Sequence, residues 1–216
     1  MPRAPVDWKR ILRRAAGRAR LGDRGGIDAL LAALRWRYDT ARNAAVAALA
    51  ALRPPPVRDL LRIARSAETA VERRAAVDAL ARTGVPRAVL ALRSAFRDPN
   101  MVVRRAAISA AVRTKDPGSL PGIARLLEDP SGGVRVLAAH ALGAFGDRRG
   151  VRALVWATRD PKWYVRQAAC GSLGALGDPR ALPALRRALT DRRPAVAAAA
   201  KGAAQRIVAT RAPRKS

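Results

Sequence analysis

Cysteine is almost missing from this chain of 216 residues. Cys170 stands alone, so no internal disulfide can form and nothing points to an oxidising compartment. Histidine is as scarce: with His140 the single imidazole, a multi-histidine metal site cannot be assembled. Trp, Tyr and Phe together make up 4%, and the alternating Val, Ile, Thr and aromatic runs that mark strands are missing. No apolar run reaches the roughly 18 residues of a membrane-span candidate, and the opening residues lack the apolar stretch of a secretory signal. No Ser-His-Asp set, Walker-type loop or dinucleotide glycine fingerprint can be put together. Catalytic residues, cofactors and metals are therefore not expected, and a cytoplasmic monomer is.

Acids are the most telling shortage. Against 43 Lys and Arg stand 16 Asp and Glu, leaving a formal charge of +27. A coding preference would explain why Arg outnumbers Lys 38 to 5; it does not explain why acids are few. Such a field raises association with polyanions, nucleic acid or an acidic protein surface. What the chain has in abundance is alanine, the best helix former. The expected class is all-α.

A period organises the rest. Arg42, Arg73, Arg104, Arg135 and Arg166 recur every 31 residues, as do Asp98, Asp129, Asp160 and Asp191. Gly84, Gly146 and Gly177 follow the same step, with Lys115 in the remaining slot. A fixed period of this length means stacked repeats, each burying its face against its neighbours. Within a unit, one helix shows a short apolar stripe: Val89, Leu92 and Phe96; Leu120, Ile123 and Leu127; Leu182, Leu185 and Leu189. Asp-Pro then stops it, and Asn100 or Ser131 is placed to cap the second helix. That helix buries Val103, Ala107 and Ala110, or Val134, Ala138 and Ala141, and ends at the recurring glycine. The spacing predicts a lone second helix near 8–21 and pairs at 24–51, 55–82, 86–113, 117–144, 148–175 and 179–208. The Pro54–Pro56 run makes the second pair irregular, and a basic, disordered tail is expected at 209–216.

Val-Arg-x-Ala-Ala on the second helix, an Asp six residues before that Arg, and Gly-Asp-x-Arg between units resemble HEAT repeats of the short, bilin-lyase-like kind. The resemblance covers nearly the whole chain. It implies one right-handed α-solenoid of about six helix pairs plus an N-terminal half repeat, over residues 1–208. It also implies that turn Asp and repeat Arg hydrogen-bond between neighbouring units, making Asp98, Arg104, Asp129, Arg135, Asp160 and Arg166 a structural ladder. Arg42 and Arg73 have Trp36 and Ala67 where that Asp would stand, and are expected to be freer to bind a ligand. The iron-binding His-Glu pairs of the related hydroxylases have no counterpart here.

In the resembled fold the second helices line a concave face. Its solvent row runs through Arg14, Asn43, Arg74, Arg105, Val136, Gln167 and Ala198, and one turn on through Arg18, Ala47, Asp78, Ser109 and His140. The N-terminal half is thus expected to be basic and the C-terminal half nearly neutral. First helices expose Arg87, Arg97, Arg125, Arg149, Arg152, Arg159, Arg180 and Arg187 as well. Trp163 and Tyr164 open a second helix and could stack a base or pack on the preceding repeat; Trp156 falls on an exposed row. The sequence reading is a non-enzymatic scaffold binding the phosphate backbone of DNA or RNA through Arg14, Arg18, Arg42, Arg73, Arg74, Arg105, Trp163 and Tyr164. An acidic protein partner is the alternative. A lesser one is a HEAT-like DNA glycosylase, for which Asp78 and the Trp163/Tyr164 pair would have to cooperate.

Overall fold

The computed structural model describes residues 7–210, leaving aside the side chains of Arg87 and Ala91. Among the described residues there are thirteen α-helices and no strand. The chain falls into two compact units, Met1–Thr114 and Lys115–Ser216.

The first unit opens with α1 (Trp8–Arg20), whose Asp7 side chain accepts the Arg10 amide as an N-cap. Three helix pairs follow: α2 (Arg24–Ala32) with α3 (Asp39–Ala51), α4 (Val57–Ser66) with α5 (Ala70–Thr83), and α6 (Pro86–Leu92) with α7 (Met101–Thr114). The second helices pack in order, α1 on α3, α3 on α5 and α5 on α7. Their contact faces are small: Ala41, Ala45, Ala76, Ala79, Ala107 and Ala110 are wholly buried, while Leu30, Leu34, Leu49, Leu60, Leu80 and Ile108 fill the layers between. Each such Leu or Ile contributes about 1.5–3 kcal/mol by leaving water. Thr69 caps the start of α5, its hydroxyl accepting the Glu72 amide at 3.2 Å and donating to the Glu72 carboxylate at 2.9 Å.

The second unit repeats the plan with α8 (Leu120–Arg125) and α9 (Gly132–Phe145), α10 (Val151–Ala157) and α11 (Trp163–Leu176), and α12 (Leu182–Ala188) and α13 (Pro194–Ala209). Here α9 packs on α11 and α11 on α13. The first helices are short because a 3-10 turn precedes each, starting from a capping Asp: Asp116, Asp147 or Asp178. Val134, Ala138, Ala141, Ile123 and Leu185 are buried as expected, but Leu189 is 43% exposed; Ala184, Leu185 and Ala188 form the inner face of α12, with Ala181 buried in the turn before it. Asn100 caps α7 through its side chain, accepting the Val102 amide at 2.9 Å. Ser131 does not: its hydroxyl makes no capping bond to α9, and Asp129 takes the Ser131 amide at 2.9 Å instead.

Gly84, Gly146 and Gly177 end their helices in the left-handed region, at φ 70°, 69° and 64°. Lys115 does the same at φ 50°, against the steric preference of a residue with a Cβ. Helix α13 runs to Ala209, with Thr210 as its C-cap. The tail expected beyond it lies, from residue 211 on, outside the described residues.

Candidate functional site

The repeat arginines use both ends of the guanidinium. Arg135 Nη1 donates to the carbonyl of Asp129, six residues back, at 2.8 Å, while Nε and Nη2 fork onto the Asp160 carboxylate at 2.7 and 3.0 Å. Arg166 does the same with the Asp160 carbonyl (2.9 Å) and Asp191 (2.7 and 2.8 Å). Arg104 Nη1 donates to the carbonyls of Asp98 and Pro99, both at 2.9 Å. The six-residue spacing is therefore served by a backbone carbonyl, which any residue supplies. For Arg135 and Arg166 the side-chain partner is the turn Asp 25 residues further on, in the next repeat.

That geometry corrects the expectation for Arg73. Ala67 supplies its carbonyl at 2.8 Å and Asp98 its carboxylate at 2.7 and 3.0 Å, so Arg73 is a rung and its side chain is 12% exposed. Arg42 is enclosed as well, at 11% exposure. It donates to the Trp36 carbonyl and to Asp39, and burial, with the Arg74 charge nearby, pushes its pKa down. Neither is presented to a ligand. The fork raises the pKa of Arg73, Arg135 and Arg166 and, through the Arg166 hydrogen bond, lowers that of Asp191. Burial works against the ionised Asp98, yet the hydrogen bonds from Arg73 and the Asn100 amide, with the Arg73 and Arg104 charges, bring it below its ordinary value.

The remaining second-helix arginines of the first unit face solvent. Arg14, Asn43, Arg74 and Arg105 are exposed on α1, α3, α5 and α7. Arg14 and Arg105 have no acidic partner among the described residues. Arg18 is paired with Asp23 but remains well exposed. Behind the row lies Asp78, approached by Arg74 at 3.7 Å and Arg113 at 4.0 Å. Burial raises the Asp78 pKa against the opposing charges of Arg74, Arg113 and Arg82, so three guanidiniums share one reluctant carboxylate.

Trp163 and Tyr164 belong to the second unit and Asp78 to the first. They meet edge-on at 5.8 Å, and the Arg193 guanidinium sits 6.0 Å from the Trp163 ring centre. Tyr164 rests on the start of the preceding second helix: a Cβ on Gly132 would come within 2.5 Å of its hydroxyl. Gly132 occupies the repeat slot that Trp163 fills one unit later, and only a glycine leaves room for the ring. Cys170 is buried, which pushes its thiol up to about 11 and leaves it a small apolar core group.

Stacked helix pairs joined by Arg–Asp rungs define an α-solenoid of helix-pair repeats. The chain belongs to the HEAT-repeat family, whose model, described as HEAT repeats, matches residues 57–133 and again 121–204. In structure it is similar to an engineered protein, with a TM-score of 0.57 at 17% identity over 95% of this chain and 98% of that one. It is similar also to a computationally designed armadillo repeat protein for modular peptide recognition, with a TM-score of 0.56 at 16% identity over 90% and 99%. These likenesses show the fold alone. The complex of CpcE and CpcF of phycocyanin lyase from Nostoc gives 0.45 at 22% identity over 95% and 89%. No curated protein matches this chain. No helix among the described residues is long and apolar enough to cross a membrane.

Proposed function

We propose that the chain is a binding scaffold whose first unit takes the phosphate backbone of nucleic acid, DNA or RNA, on the exposed face of its second helices. The observation that carries this reading is the exposed row of Arg14, Asn43, Arg74 and Arg105 on the stacked helices α1, α3, α5 and α7, with Arg74 also within 3.7 Å of Asp78. The carboxylates of this unit are largely drawn into rungs, caps and internal pairs, which leaves that row with an excess of positive charge. A guanidinium fork suits phosphate, and contacts made to the phosphate backbone carry no sequence information, so binding is expected to be indifferent to sequence. Arg42 and Arg73 drop out of the contact set, and Arg18 contributes less because Asp23 already holds it. A cytoplasmic monomer fits this role, to be checked by sedimentation and by cell fractionation.

Affinity for duplex, single-stranded and RNA oligomers measured against salt tests the reading. Log affinity should fall linearly with log salt, and reversing Arg14 and Arg74 to Glu should flatten the slope by roughly 0.7–0.9 per lost phosphate contact. Reversing Arg58 and Arg65 on α4, exposed and without acidic partners among the described residues, is the control. Equal losses from both pairs would mean a diffuse polycation without a binding face. Absence of binding at low salt, with capture of a polyglutamate peptide, would favour an acidic protein partner, a reading supported by the likeness to armadillo proteins designed for peptide recognition.

A further inference from the structure

The second unit carries a different arrangement on its first helices. In α10, Val151, Leu154 and Ala157 turn into the core. The opposite face therefore presents Arg152 and Trp156, followed by Arg159 just beyond the helix. Trp156 is 68% exposed, an unusual place for a side chain that normally buries most of its ring. Beside it runs an open groove of about 620 Å³, with Ala124, Leu127 and Ala153 among its apolar lining and Arg125, Arg149, Arg152 and Arg159 among its cations. Arg159 already lies 5.9 Å from the indole centre. Glu128 is the exposed acid in this lining; Asp160 is held by Arg135.

The repeat supplies a second, independent observation. The slot of Trp156 is filled by Arg125 one repeat earlier and by Arg187 one repeat later. Both are exposed, and neither has an acidic partner among the described residues. Successive first helices thus offer Arg, Trp, Arg at one position, at the roughly 8–10 Å spacing of packed helices.

We propose that this face is a binding site for single-stranded nucleic acid, in which a base stacks on Trp156 and neighbouring phosphates meet Arg125, Arg152 and Arg187. A flat, exposed indole between cations matches a ligand with a π-face and flanking anions. A duplex keeps its bases stacked inside and has no face to offer. Carboxylates of an acidic peptide would satisfy the arginines but leave the indole uncovered. The site is separate from the Arg14–Arg105 row and does not depend on it.

The test is the affinity of a short oligothymidylate, the same sequence in a duplex, and a polyglutamate peptide for wild type, Trp156→Ala and Trp156→Phe. Trp156→Ala should weaken single-strand binding by about tenfold or more, as loss of one base–aromatic stack does, while Trp156→Phe retains most of it. Duplex and peptide binding should not change. The Arg14/Arg74 reversal should leave the Trp156-dependent part intact, which separates this proposal from the one above. An unchanged single-strand affinity in Trp156→Ala would overturn it, as would an equal loss for the peptide. Should that variant fail to fold, photocrosslinking of iodouracil-bearing strand to the wild-type protein decides: the adduct should fall on the peptide containing Trp156, and an adduct elsewhere refutes the site.

Discussion

In the second unit, Arg135 and Arg166 each reach forward to the turn Asp of the following repeat. In the first unit Arg73 does so, but Arg42 finds Ala67 at the place of that Asp. Other pairs tie the irregular repeat together instead: Arg24 forks onto Asp59 at 2.9 and 3.0 Å, and Arg35 reaches the buried Glu72 at 3.0 Å. The contrast teaches that the rung is an interaction between layers. A repeat keeps its helices without the rung, as α3 and α4 do, but its arginine is left buried with a depressed pKa. The second unit is the regular stack, and the first carries the deviations along with the exposed basic row.

The largest effect that could break this comparison is loss of a rung. Arg135→Ala should lower stability by about 2–4 kcal/mol, because it strands the nearly buried Asp160 carboxylate. Arg42→Ala should cost only about 1 kcal/mol, since its carboxylate partner Asp39 is exposed and can return to water. Chemical denaturation of the two variants reads this directly; equal losses would mean that the rungs are not what sets the units apart.

Repair is the sharper experiment. Ala67 has the backbone of a turn Asp, φ −65° and ψ 139°, beside −59° and 139° at Asp98 and −58° and 141° at Asp129. Ala67→Asp should therefore give Arg42 its missing fork and stabilise the protein by about 1–2 kcal/mol. A neutral or destabilising result would show that the first two pairs are not stacked as the later ones are.

Acid should reveal a smaller difference. The Arg180 hydrogen bond, set against some burial, holds the Asp178 carboxyl down at about 2 from an ordinary 3.8. Its stabilising share is complete above the ordinary value and fades as pH falls from about 4 toward 2. Asp78 in the first unit has the opposite sign. Burial raises its pKa, so its contribution is complete below the ordinary carboxylate value and is lost as pH rises through the raised one. Stability measured across the acid range should lose part of its low-pH decline in Asp178→Asn and steepen in Asp78→Asn. The same slope in both variants would contradict the opposed signs.

The architecture was legible in the sequence because its signals are local. Apolar stripes, Asp-Pro stops and terminal glycines act within a few residues, and their recurrence every 31 residues placed the helix pairs closely. The pattern also held the clue to the rungs, since every Arg from Arg73 to Arg166 has an Asp 25 residues ahead. The six-residue spacing, though shorter, carries no side-chain signature, because a backbone carbonyl serves it.

Partnership across layers was decided by tertiary structure. Whether Arg73 binds solvent or Asp98, whether Tyr164 stacks a ligand or rests on Gly132, and whether Asp78 is a free acid or a shielded one depend on which helices lie side by side. So does the Arg125–Trp156–Arg187 alignment, whose members are distant in the chain and acquire meaning when the first helices stack. Helix positions follow from short-range steric and hydrogen-bonding preferences, which sequence spells out residue by residue. Exposure and charge pairing follow from the packing of separate layers, where small contact residues such as alanine set the distance and the long side chains then find their partners.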